Sequence, residues 1–118
     1  MEIRTANTIV YCTRFTKTVD FYKSRLRLPV TAELDWFVEF ELNEGSRLSI
    51  ADEGRASIKS SAGQGLTITL RVEDIERTHS FLEEAGIDPP EITDHAWGAR
   101  VMHVFDPEGT RIEFWQPS

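Results

Sequence analysis

An α+β fold assembled from two copies of one unit, each a strand, a helix and then two strands with room for a further one, is what this 118-residue sequence predicts. Three observations carry that expectation. Residues recur at fixed offsets, two stretches carry helical apolar stripes, and the C-terminal end reads as a β-hairpin. At an offset of 60, Thr18 matches Thr78 and Phe21 matches Phe81, with Lys17 over Arg77 and Phe15 over Ile75. At an offset of 64, residues 44–50 (Glu-Gly-Ser-Arg-Leu-Ser-Ile) lie over residues 108–114 (Glu-Gly-Thr-Arg-Ile-Glu-Phe). Self-similarity that spans both helical and strand segments marks a duplicated supersecondary unit.

The elements follow in order. Residues 8–12 form a short apolar run, with Val10 and Cys12 on one face and Asn7, Ile9 and Tyr11 on the other. Thr13 and Thr16 offer hydroxyls as N-caps. Phe15, Val19, Tyr22 and Leu26, at spacings of four, three and four, then draw one helical stripe. Pro29 ends that helix and pushes Leu28 towards extended geometry. Residues 36–42 alternate, Val38, Phe40 and Leu42 against Phe37, Glu39 and Glu41; a turn at 43–46 leads to a strand at 47–51 that buries Leu48 and Ile50.

Residues 52–65 are small and polar, a connector. The pattern then restarts. Ile68, Leu70 and Val72 point inward, and Thr67, Thr69 and Arg71 occupy the other face. Asp74 suits an N-cap, Ile75, Thr78, His79 and Leu82 form the second stripe, and Gly86 suits the left-handed position past the helix end. Residues 87–96, with Pro89-Pro90, read as loop. Asp106-Pro107-Glu108-Gly109 has type I turn preferences and joins two strands. In the second of them Ile112 and Phe114 point one way, and Arg111, Glu113 and Trp115 the other. Each unit thus has an apolar sheet face for its helix and a mixed face. Two mixed faces brought together enclose a space suited to a small molecule.

Composition narrows the function. A net charge of −7 argues against a nucleic-acid backbone or an anionic membrane as main partner, and suits solubility or a cationic ligand. No stretch has signal-peptide or membrane-span character. The lone Cys12 has no partner for an internal disulfide, so a reducing, cytoplasmic setting is expected. Phosphate-loop, Cys/His metal-spacing and serine-nucleophile motifs are all lacking.

The strand before Phe15, the helix reaching Phe21-Tyr22, the helix opening at Asp74-Ile75-Glu76, and Asp106-Pro107-Glu108-Gly109 with Ile112-Glu113-Phe114 together resemble the vicinal oxygen chelate superfamily. This is the group of glyoxalases, bleomycin-resistance proteins and extradiol dioxygenases. The resemblance covers nearly the whole chain and implies two βαβββ modules forming a curved mixed sheet around a cavity, commonly in a homodimer. It implies one domain over residues 1–118, with module 1 at 5–52, a connector at 53–65 and module 2 at 66–117. In metal-dependent members a His or Gln on the first strand and a Glu on the last strand of each module bind one divalent ion. Here those positions fall on Asn7, Ser49, Thr67 and Glu113, and only Glu113 has a side chain suited to zinc, nickel or iron. No metal is therefore expected, with a divalent ion as the alternative.

Glu113 and His103 are the candidate acid–base residues, the imidazole because it titrates near neutrality. Glu113 on a half-exposed strand also fits a plain surface carboxylate. Asn7, Tyr11, Phe37, Glu39, Ser49, Thr67, Arg71, Arg111 and Trp115 are candidate ligand contacts on the mixed faces. Trp97 joins them as either a core or a stacking residue. Two functions follow. One is a metal-free binder of an aromatic or cationic small molecule; the other is a lyase-, isomerase- or dioxygenase-like enzyme.

Overall fold

A computed structural model describes residues 1–118. The chain forms two units, Met1–Ala62 and Gly63–Ser118. In the first, β1 (Ala6–Cys12) precedes α1 (Phe15–Asp20), and β2 (Val30–Leu34), β3 (Phe37–Asn43) and β4 (Ser46–Asp52) follow. In the second, β5 (Thr67–Arg71) precedes α2 (Ile75–Glu84), followed by β6 (Thr93–His95), β7 (Ala99–Phe105) and β8 (Arg111–Pro117). The sheets run β1-β4-β3-β2 and β5-β8-β7-β6. Each unit is therefore βαβββ, the expected α+β class, and each gains one strand over those the alternation alone located.

The two sheets share one pairing scheme. The first strand lies parallel to the last, Asn7 opposite Arg47 in one unit and Thr67 opposite Arg111 in the other, and the remaining strands are antiparallel. Alternation does what was expected of it. Val10, Cys12, Val38, Phe40, Leu48 and Ile50 are buried in the first unit, and Ile68, Met102, Val104, Ile112 and Phe114 in the second. Ile75 and Leu82 of α2, both fully buried, complete the second core against β8. Asp74 caps α2, its carboxylate accepting from the Glu76 and Arg77 amides at 3.1 Å each, and Gly86 beyond its end has φ +78°.

The first helix departs from expectation. Arg14, not Thr13 or Thr16, takes its N-cap position, and no side-chain cap hydrogen bond forms there. After Asp20 the chain widens into a π-helical segment, Phe21–Arg25, closed by the Leu26 amide donating to the Phe21 carbonyl at 2.9 Å. Of the expected stripe Tyr22 and Leu26 are buried and Phe15 and Val19 only half covered, and in the wider turn Phe21 is buried beside Tyr22. Thr18 is buried as well, its hydroxyl donating to the Arg14 carbonyl at 2.7 Å.

The loop expected over 87–96 is corrected by β6, which lies within it. Three residues are too few for alternation to register. They are held instead by pairing with β7 and by Arg100, whose Nε donates to Asp94 at 3.0 Å and whose Nη2 donates to Glu76 at 3.2 Å. Those hydrogen bonds, Glu76 first and then Asp94, raise the guanidinium pKa above its ordinary value.

The hairpin turn forms as predicted. The Gly109 amide donates to the Asp106 carbonyl at 3.0 Å, and Asp106 Oδ1 accepts from the Glu108 and Thr110 amides at 2.9 Å each. Asp106 is buried, and the Gly63 backbone packs directly against Gly109 and Thr110.

Candidate functional site

With Ile112 and Phe114 turned towards the core, β8 presents Arg111, Glu113 and Trp115 on its other face. Register carries that face across the sheet. Glu113 lies opposite Thr69 on β5 and His103 on β7, Arg111 opposite Thr67 and Phe105, and Trp115 opposite Arg71 and Val101. Six sequence-derived candidates, Thr67, Arg71, His103, Arg111, Glu113 and Trp115, thus share one surface.

The Glu113 carboxylate is engaged at both oxygens. Thr69 Oγ1 donates to Oε1 at 2.9 Å, and Arg111 Nη2 stands 3.6 Å from Oε2. Its side chain is about three-quarters covered, at 26% exposure. Arg71 holds its guanidinium 5.5 Å from the Trp115 ring centroid, within the range of a cation–π contact. The His103 and Phe105 rings meet edge-to-face at 5.5 Å. Arg111 Nε is buried with no hydrogen-bond partner.

Thr69 is the residue that sequence reasoning places on the correct face but does not select. Position matching points to Thr67 as the partner of Glu113. In the parallel register Thr67 faces Arg111, and the hydroxyl that reaches Glu113 is one pleat further along.

The equivalent face of Met1–Ala62 is built differently. Ser49 occupies the place of Glu113 and lies opposite Ile9 and Glu39. Its buried hydroxyl donates to Asn7 Oδ1 at 2.8 Å. Glu39 accepts from Thr31 Oγ1 at 2.8 Å, and Glu41 stands 3.9 Å from Arg47. Tyr11 and Phe37, both half-buried, lie on this face beside Ala51, the strand partner of each. Trp97 belongs to neither face. It sits at 70% exposure in the β6–β7 turn, its ring 5.3 Å from that of His95, and so is not a core residue. Neither unit gathers three or more His, Cys, Asp or Glu side chains in a metal-binding arrangement.

Residues 4–114 match the Glyoxalase/Bleomycin resistance protein/Dioxygenase superfamily, and the chain belongs to that superfamily. Among its relatives is the uncharacterized protein YraH of Bacillus subtilis (strain 168), 30% identical over 115 residues, 86% of this chain and 89% of YraH. Solved structures that share the fold include two with stated roles. One is TnmS3, an antibiotic binding protein from Streptomyces sp. CB03234, with a TM-score of 0.77 and 21% identity over 100% of this chain and 97% of that one. The other is the lactoylglutathione lyase of Agrobacterium tumefaciens, with a TM-score of 0.75 and 16% identity over 93% and 90%. A binder and a lyase on the same scaffold leave activity to be argued from the site. No helix is long and apolar enough to cross a membrane.

Proposed function

We propose that this protein binds a small molecule without a catalytic metal, the polar face of Gly63–Ser118 forming the binding surface. The reading includes a cytoplasmic homodimer. The observation that carries it is the state of Glu113: the one carboxylate on that face already accepts from Thr69 and has Arg111 at 3.6 Å. A guanidinium at that distance repels a divalent cation. The remaining donors at the family's metal positions are hydroxyls and an amide, with Asn7 Oδ1 itself occupied by Ser49. Such a set fits zinc, nickel or iron poorly, since these ions favour imidazole, thiolate and several carboxylates. TnmS3, an antibiotic binding protein with the same fold, supports the ligand-binding reading.

The test is elemental. Protein purified without chelator is expected to carry far less than one zinc, nickel, iron or manganese per chain, and its ligand affinity is expected to be indifferent to EDTA. About one such ion per chain, or binding abolished by EDTA and restored by a metal, overturns the proposal.

A second reading rests on His103 lying directly opposite Glu113 on neighbouring strands. Two proton-transfer groups so placed can serve as acid and base, and each such group contributes roughly a hundredfold or more to the rate. On this reading His103→Gln and Glu113→Gln each lower turnover at least about a hundredfold, while ligand affinity changes less than about tenfold. Unchanged turnover in either variant removes that residue from catalysis.

A further inference from the structure

We propose that the β5–β8–β7 face of Gly63–Ser118 selects a planar aromatic compound bearing an anionic group, its ring on Trp115 and its anion on Arg71. This deepens the binding reading above and rests on it. Charge is unevenly distributed in this unit. Gly63–Ser118 holds eleven Asp and Glu residues against four Arg and no Lys. Two of those four arginines, Arg71 and Arg111, lie on this one face, where Glu113 is the only carboxylate on the three strands. Of the other two, Arg100 is held by Glu76 and Asp94, and Arg77 lies on α2. An acidic unit therefore concentrates half its cations on a single sheet surface.

The two arginines have different duties. Arg111 is engaged by Glu113. Arg71 is exposed, has no carboxylate partner, and lies against the Trp115 ring. A guanidinium so placed presents its donors as a planar fork, the geometry that recognises carboxylates and similar anions. The Trp115 ring, over which the guanidinium stands 5.5 Å from the centroid, offers the rest of its surface for stacking. Along β8 the next residue on the same face, Glu113, is about 7 Å away, close to the length of a two-ring aromatic system. His103 and Phe105 continue the surface on β7. A cationic ligand, the sign that the net charge alone allows, meets two guanidiniums here and a carboxylate already in use.

Three matched probes test the sign: 2-naphthoate, 2-naphthylmethanol and 2-naphthylmethylammonium. Binding is read from the Trp115 indole N–H in ¹H–¹⁵N spectra, a signal assigned by its loss in Trp115→Phe. The expected result is that naphthoate binds at least about tenfold tighter than the alcohol, and the ammonium compound weaker than both. Arg71→Gln brings naphthoate to within about threefold of the alcohol, whose own affinity is retained, and Arg77→Gln changes neither. If the alcohol binds at Trp115 but the ammonium compound equals naphthoate, the anion assignment fails and small-molecule binding at this face stands. A tenfold preference that survives Arg71→Gln likewise overturns the assignment to Arg71. If none of the three perturbs Trp115 at millimolar concentration, both the assignment and the use of this face fall.

Discussion

Gly63→Ala is expected to lower the melting temperature by about 10–15 °C, a loss of about 3 kcal/mol. Two penalties combine. Gly63 has φ +77°, where an L side chain is strained. A Cβ there also falls inside the van der Waals shell of the Gly109 carbonyl and lies 2.6 Å from the Thr110 nitrogen. The obstacle is backbone, part of a turn pinned by Asp106, and no side chain is available to swing away. Gly65→Ala supplies the control. Its φ is +76°, and nothing lies within 4 Å of the added methyl, so it carries the strain without the collision. It is expected to cost about 1 kcal/mol. Melts of the two variants that agree to within the error of the method defeat the claim that close approach to the hairpin fixes this position.

Asp106→Ala should be nearly as damaging, at about 2–3 kcal/mol. The carboxylate oxygen accepts from two amides, those of Glu108 and Thr110, inside a turn where Asp106 itself is only 4% exposed. Truncation leaves those donors without a charged acceptor. Asp106→Asn keeps an oxygen at the same place and is expected to recover roughly half the loss, since a neutral acceptor makes the weaker bond. Chemical denaturation of the three proteins measures this directly. Equal stability of Ala and Asn variants means the hydrogen bonds contribute little and the site tolerates any compact residue.

Both predictions concern a turn that is legible in the sequence. Asp, Pro and Gly at the first, second and fourth positions specify its geometry locally, and the structure forms the bonds those residues are suited to make. The sheet faces are legible for the same reason, because alternation is a property of one strand. The offsets of 60 and 64 are enough to reveal the duplication. What local pattern does not contain is register. Thr67 and Thr69 share a face, and only the pairing of β5 with β8 selects the hydroxyl that meets Glu113, 44 residues away. β6 escapes notice because three residues carry no period, and its stability comes from β7 and Arg100. The π-helical segment follows neither of the two periods used to read the chain. For Trp97 the sequence leaves core and stacking residue both open, and tertiary context, which leaves it in solvent, decides against the core.

The parallel pairing of first and last strands has a consequence for how the molecule is made. Emerging from a ribosome, β5 has no neighbour in its own unit until β8 follows it out. The β7–β8 hairpin is local and closes quickly once both strands are free, whereas β5 must await a long loop closure. Thr69 and Arg71 ride on that waiting strand, so neither the hydroxyl on Glu113 nor the guanidinium on Trp115 is placed before that closure. A nascent chain arrested before residue 111 holds the strand that finishes the surface and nothing for it to dock upon.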